Sequence, residues 1–257
     1  MKIGIFDSGV GGLSVLEKIL RYNPQIDIIY LADKKNCPYG EKTCKELIDI
    51  VKENINYLIS KGCEIIVIAC NTASFIYNMY LKEEFNVKIY NILEFSMEWI
   101  ATKELDKICV FETSFLQKEN RFNKMQQSIG INRPKVFEVS GWDIAKNVES
   151  NGNYVKDIER AVKSIPEEIK NVLLSCTHYS LIYNEFEEVK KTLEKDEINF
   201  IDPAPEFAKY VLKELKLESF KEADLAKEMN FKLRLEVNKG KKEFNNILKK
   251  VMPWIKM

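Results

Sequence analysis

Short apolar runs and longer stretches of helical spacing alternate along this chain. Lys2–Phe6, Ile26–Leu31, Glu64–Ala69, Val87–Ile92, Lys107–Phe111, Lys135–Val139, Asn171–Ser175 and Asn199–Ile201 are short β-type runs and read as strands. Between them, Leu13–Tyr22, Cys44–Ser60, Thr72–Phe85 and Tyr154–Ile165 place apolar residues three and four apart, as amphipathic helices do. Strands that alternate with helices imply right-handed βαβ crossovers and a mainly parallel sheet. Ile65-Ile66-Val67-Ile68-Ala69 is apolar at every position, as expected of a strand covered on both faces. The charged tail from Lys221 to Lys250 is expected to form one or two surface helices, and Met252-Pro253-Trp254-Ile255 to pack down on the body.

One stretch echoes another. Ile66-Val67-Ile68-Ala69-Cys70-Asn71-Thr72-Ala73-Ser74 and Val172-Leu173-Leu174-Ser175-Cys176-Thr177-His178-Tyr179-Ser180 share one plan. Each is an apolar strand, a small residue, a Cys, two polar residues and a helix-like segment. This suits a duplicated α/β design with one Cys in each half. Asn91 to Ala101 is the expected first crossing between halves, and Asp202 to Glu206 the return.

Composition narrows the function. Of 257 residues, 46% are hydrophobic and 30% charged, and thirty-nine basic residues balance thirty-nine acidic ones. Such a surface gives no electrostatic support to nucleic-acid or anionic-membrane binding. The N-terminus reaches Asp7 after too few apolar residues for a signal peptide, and the run from Ile65 to Cys70 is far shorter than a membrane span. A cytoplasmic protein with reduced thiols is expected. Cys37, Cys44, Cys63, Cys70, Cys109 and Cys176 are scattered without a CxxC pair, and the chain has a single His. Neither a zinc site nor a disulfide scaffold fits that usage, so no metal is expected.

Cys70 and Cys176 carry the chemistry. Each stands where a strand ends and a helix begins, so both point toward the crevice beyond the carboxyl ends of the strands, where open α/β sheets bind ligands. A helix N-terminus lowers a thiol's pKa, and Asn71, Thr72 and Thr177 offer donors to an anionic group there. Cys63 and Cys109 read instead as small buried hydrophobes. Cys37 lies in the loop-like Asn36-Cys37-Pro38-Tyr39-Gly40, with no base beside it. The turn Asp7-Ser8-Gly9-Val10-Gly11-Gly12 could bring backbone amides close to a carboxylate or phosphate, or simply allow tight strand–helix packing. Asp7 could orient a thiol or accept an ammonium group. His178, two residues after Cys176, is placed to stabilise a thiolate or shuttle a proton.

Taken in order, Gly4-Ile5-Phe6-Asp7-Ser8-Gly9-Val10-Gly11-Gly12-Leu13-Ser14-Val15, Cys37-Pro38-Tyr39-Gly40, Ala69-Cys70-Asn71-Thr72-Ala73 and Ser175-Cys176-Thr177-His178-Tyr179 resemble the motifs of the glutamate racemase family. The match runs from residue 1 to about 205 and thins in the tail. The resemblance implies two pseudo-symmetric α/β lobes, each a mainly parallel sheet flanked by helices, with the active site between them. Residues 1–93, completed by 207–257, would form the first lobe and 94–206 the second. It further implies cofactor-independent interconversion of L- and D-glutamate, supplying D-glutamate for peptidoglycan, by a homodimer. Cys70 would be the base for the D-enantiomer and Cys176 for the L-enantiomer, assisted by Asp7 and His178 respectively. Ser8, Tyr39, Gly40, Asn71, Thr72, Thr113 and Thr177 would hold the substrate, with Glu149 near the second thiol.

The chain departs from the family pattern at several places. Glu112-Thr113 followed by Leu116 replaces Gly-Thr and a second Thr, Gly141-Trp142 replaces a Cys-Pro pair, and Phe95 follows Glu94 where Pro is usual. A Glu at 112 that faced the pocket would repel a second carboxylate. Three alternatives therefore stand beside glutamate: another acidic amino acid such as aspartate, a Cys-His hydrolase using Cys176 as nucleophile, and a non-catalytic regulator.

Overall fold

The computed structural model describes residues 1–23, 25–141, 143–217 and 232–255; Trp142 and the start of the charged tail lie outside the described residues. The strands are β1 (Lys2–Asp7), β2 (Asp27–Ala32), β3 (Ile65–Ile68), β4 (Lys88–Asn91), β5 (Lys107–Glu112), β6 (Lys135–Ser140), β7 (Asn171–Ser175), β8 (Asn199–Ile201) and β9 (Lys232–Val237). The α-helices are α1 (Leu13–Tyr22), α2 (Cys44–Ser60), α3 (Asn71–Ile76), α4 (Ile92–Ala101), α5 (Ser114–Gln117), α6 (Arg121–Ser128), α7 (Ile144–Glu149), α8 (Val155–Lys163), α9 (Thr177–Leu181), α10 (Tyr183–Thr192), α11 (Ala204–Glu214) and α12 (Lys241–Val251). None is long and apolar enough to cross a membrane.

The strands form two parallel sheets, ordered β4-β3-β1-β2-β9 and β6-β5-β7-β8. The parallel strands expected from the alternation and the two-lobe α/β architecture implied by the family resemblance are both present. Because side chains alternate across a strand, each sheet feeds two apolar layers. Ile3, Ile5, Tyr30, Val67, Phe111 and Leu174 join one layer with α1, α10, α11 and α12. Phe6, Leu31, Ile66, Ile68, Val110 and Leu173 join the other with α2, α3 and α6. Each layer draws strands from both sheets, so the lobes share their cores.

Local signals set the helix boundaries. α2 starts at a capping box: the Glu46 amide donates to Thr43 Oγ1 at 3.3 Å, and the Thr43 amide donates to Glu46 Oε2 at 2.9 Å. Its buried stripe is Leu47, Val51, Ile55 and Leu58, stepping by three and four. The single helix expected over Thr72–Phe85 is instead α3 followed by a π-helical turn, Tyr77–Leu81.

The tail also departs from expectation. Lys232–Val237 is a strand that lies parallel to β2, in register from Asp27↔Lys232 to Ala32↔Val237. Among the described residues of the tail only α12 is helical, and it buries Phe244, Ile247 and Leu248. Met252 is fully buried, as the apolar end of the chain implied.

Candidate active site

The strand–Cys–helix plan is realised twice. Cys70 follows β3 and is the N-cap of α3; Cys176 follows β7 and is the N-cap of α9. Both stand in extended conformation at the carboxyl ends of parallel strands, one in each sheet. Both line one cavity between the lobes, together with Ser8, Tyr39, Gly40, Asn71, Thr72, Thr113, Thr177 and His178. Of the residues expected from sequence, Asp7 and Glu149 lie behind this wall. Cys37, Glu41, Ser114, Asp143 and Lys146 also face the cavity and were not foreseen as substrate contacts.

The glycine turn serves the protein's own carboxylates. Asp7 Oδ1 accepts from the Gly9 amide at 2.9 Å, and Oδ2 accepts from Thr177 Oγ1, across the lobes, at 3.0 Å. The Val10 amide donates to Glu149 Oε1 at 2.6 Å. A β-carbon on Gly9 would lie 1.8 Å from Glu149 Oε1, and one on Gly11 2.3 Å from Thr177 Oγ1. Glycine is required because second-lobe side chains enter the space a side chain would fill. Burial lifts Asp7 above the ordinary carboxylate range, against the positive charge of His178 and the two hydrogen bonds.

Around Cys70 the partners are weak. Its Sγ is 3.8 Å from Ser8 Oγ, and the Ala73 amide donates to it at 3.5 Å. Burial, then the charge of Asp7, pushes the Cys70 thiol well up, and these two contacts offset little of that. Helix position alone implied a lowered thiol; desolvation in a closed crevice outweighs it here. Cys63 and Cys109, buried in the apolar layers, are pushed up by burial to about 11 and about 12.

Cys176 has a titratable neighbour. Its Sγ lies 3.6 Å from His178 Nδ1, and His178 Nε2 lies 2.7 Å from Glu149 Oε1. Burial disfavours a charged imidazole, yet the hydrogen bonds and charges of Cys176 and Glu149 win and raise His178 well above its ordinary value. Burial would lift Glu149 too, but His178 and Lys34 hold it down at about 2. Lys34 Nζ is 2.5 Å from Glu149 Oε2. Nothing in the sequence singled out Lys34, since its partner lies in the other lobe.

Other cross-lobe bonds close the cavity. Thr72 Oγ1 and Thr113 Oγ1 are 3.0 Å apart, and Ser175 Oγ donates to Asn71 Oδ1 at 3.2 Å. Asn71 Nδ2 is buried with no acceptor from the protein. Tyr39 faces the cavity with its ring, because its hydroxyl donates to Asp33 Oδ2 at 2.6 Å. Fully buried Asp33 also accepts from Asn54 and, at 2.6 Å, from Asn238 beyond β9.

The departures at 112 and 116 do not reach the cavity. Glu112 is fully buried with no donor to either oxygen, and burial and the neighbouring Glu138 carboxyl raise it well above the ordinary range. Fully buried and outside the cavity lining, it presents no carboxylate to an anion in the pocket. Leu116 is buried in an apolar layer. Gly141 gives room to Tyr179, whose hydroxyl would lie 1.8 Å from an added β-carbon and donates to the Glu112 carbonyl at 3.2 Å. Among the described residues, no cluster of three His, Cys, Asp or Glu side chains is placed to hold a metal ion.

Residues 9–211 match the Asp/Glu/Hydantoin racemase family. The chain is 30% identical to a glutamate racemase of Lactobacillus helveticus over 215 residues, 81% of this chain and 78% of that protein. It is 31% identical to one of Leptospira interrogans, covering 74% and 77%. The crystal structure of a glutamate racemase isoform from Bacillus anthracis superposes with a TM-score of 0.81 at 26% identity, covering 98% of this chain and 93% of that one. That of Aquifex pyrophilus gives 0.73 at 29% identity, covering 98% and 95%. With two thiols from different sheets facing one cavity, this chain belongs to the Asp/Glu/Hydantoin racemase family and is an amino-acid racemase.

Proposed function

We propose that the enzyme interconverts L- and D-glutamate by a two-base proton transfer between Cys70 and Cys176, without a cofactor. The observation that carries this reading is the pair of buried thiols, one from each lobe, lining the same cavity. L-glutamate loses its α-proton to the Cys176 thiolate: the Cα–H bond breaks and an S–H bond forms. Cys70 gives its own proton to the opposite face of Cα, leaving a thiolate and D-glutamate. The reverse reaction exchanges the two roles. Burial favours Cys70 as the thiol, which suits a proton donor, and a desolvated thiolate is a stronger base than one in water.

The α-proton is far less acidic than a thiol, so the site must stabilise the carbanion-like transition state. Asn71 Nδ2, buried and without a protein acceptor, supports binding of the α-carboxylate there. Ser8, Thr72, Thr113 and Thr177 add hydroxyls, and Lys146, which pairs with Glu41 at 3.3 Å on the cavity lining, would turn its cation to the side-chain carboxylate. Asp7 and Glu149 act from behind, Asp7 on Thr177 and Glu149 on His178. D-glutamate supplied to peptidoglycan, a cytoplasmic location, a homodimer and lobes of 1–93 with 207–257 and of 94–206 complete the proposal, on the family likeness.

The test is incubation of purified protein with L-glutamate, and separately L-aspartate, in D2O without added cofactor. Loss of optical activity with deuterium at the α-carbon of glutamate is expected. Exchange on aspartate alone would move the substrate and keep the chemistry, and a Cys70→Ala variant with full turnover would sink the two-thiol mechanism.

A further inference from the structure

Lys34 reaches from the loop after β2 to Glu149 at the end of α7, so the pair joins the two lobes. Each side chain is only 10% exposed. Burying an ammonium group is costly unless a partner compensates it, so its position is specific. Its partner carboxylate is held at both ends: Oε2 by Lys34 at 2.5 Å, and Oε1 by the Val10 amide at 2.6 Å and His178 Nε2 at 2.7 Å. His178 Nδ1 in turn meets Cys176 Sγ at 3.6 Å. The result is an unbroken line, Lys34–Glu149–His178–Cys176, that begins in one lobe and ends on a thiol of the other.

We propose that Lys34 is a positioning residue for the Cys176 half of the reaction: by pinning Glu149 it fixes the imidazole of His178 against the thiol. This rests on the two-thiol reading above. A carboxylate anchored at one oxygen alone can swing about its own axis, and the imidazole that depends on it then loses its orientation. Lys34 does not line the cavity, so its effect passes through Glu149 and not through substrate contact.

The equilibrium constant of a racemisation is one, so any variant must change kcat/KM equally in both directions. The position of the damage shows instead in which proton transfer limits the rate. In Lys34→Met, kcat/KM is expected to fall roughly tenfold in both directions. The primary isotope effect on kcat/KM should rise for α-deuterated L-glutamate, whose label Cys176 removes. For α-deuterated D-glutamate it should fall toward one. Lys34→Arg should restore most of the rate. Because His178 is the only histidine, its ring 15N signals need no assignment; they should shift in Lys34→Met and return in Lys34→Arg. Wild-type kcat/KM with unmoved ring signals overturns the proposal, as does a slowed Lys34→Met enzyme whose two isotope effects are unchanged. A wild-type protein inert toward glutamate would instead defeat the substrate reading, while the ring signals would still decide whether Lys34 positions His178.

Discussion

At the scale of single residues, the site is governed by close approach and desolvation. Gly9 yields its side-chain space to Glu149, since an added β-carbon would overlap Oε1 at 1.8 Å. Gly9→Ala should therefore displace Glu149 and lower kcat/KM on the order of a hundredfold. Its thermal unfolding should change much less than its activity, and equal loss of fold and function would contradict the steric account. Glu149 also makes a pH prediction. Its carboxyl is held at about 2 against an ordinary value of 4.5. A depressed acid contributes stability that is complete above the ordinary value and is lost as pH falls toward the folded one. Urea unfolding of wild type and Glu149→Gln, compared from pH 6 to about pH 2, should show a gap that closes on acidification by about 3 kcal/mol. Taking the difference between the two proteins removes most of the opposite contribution of Asp7, whose carboxyl is raised chiefly by burial and only last by the charge of Glu149.

At the scale of elements, α12 supports the site from a distance. Phe244 is fully buried and packs on Tyr30, with ring centroids 6.0 Å apart, and the Tyr30 hydroxyl donates to the Gly9 carbonyl at 3.0 Å. Phe244→Ala should cost roughly 3–5 kcal/mol of stability, measurable by denaturant unfolding; a loss below about 1 kcal/mol would show that α12 is only loosely docked. Much of this level was legible in the sequence. The buried parallel strands announce themselves as unbroken apolar runs, and α1 and α2 keep their amphipathic spacing from end to end. β9 escaped because its charged residues read as helix surface, although Lys-Leu-Arg-Leu-Glu-Val alternates with the period of a half-buried strand. The cavity-facing residues were readable because they cluster beside the cysteines. Lys34 and Asp33 were not, because each acquires its role from a partner distant in sequence. The direction of the Cys70 shift was also out of reach, since it depends on how completely the lobes exclude water.

At the scale of the whole molecule, both apolar layers take strands from both sheets. The lobes should accordingly melt together, with coincident near- and far-ultraviolet circular dichroism transitions; two separated transitions would show that the lobes fold independently. The same sharing ties activity to closure, because Asp7–Thr177, Asn71–Ser175, Thr72–Thr113 and Lys34–Glu149 all cross between lobes. β9 adds a consequence in time. Among the described strands it is the last in chain order, yet it pairs with β2, the second. Until residues 232–238 have been made, the open edge of β2 is a template for stray strands, and Asp33 lacks the amide of Asn238. A nascent chain stalled before residue 232 is expected to aggregate through that edge, so the first sheet closes only once residues 232–237 have been made.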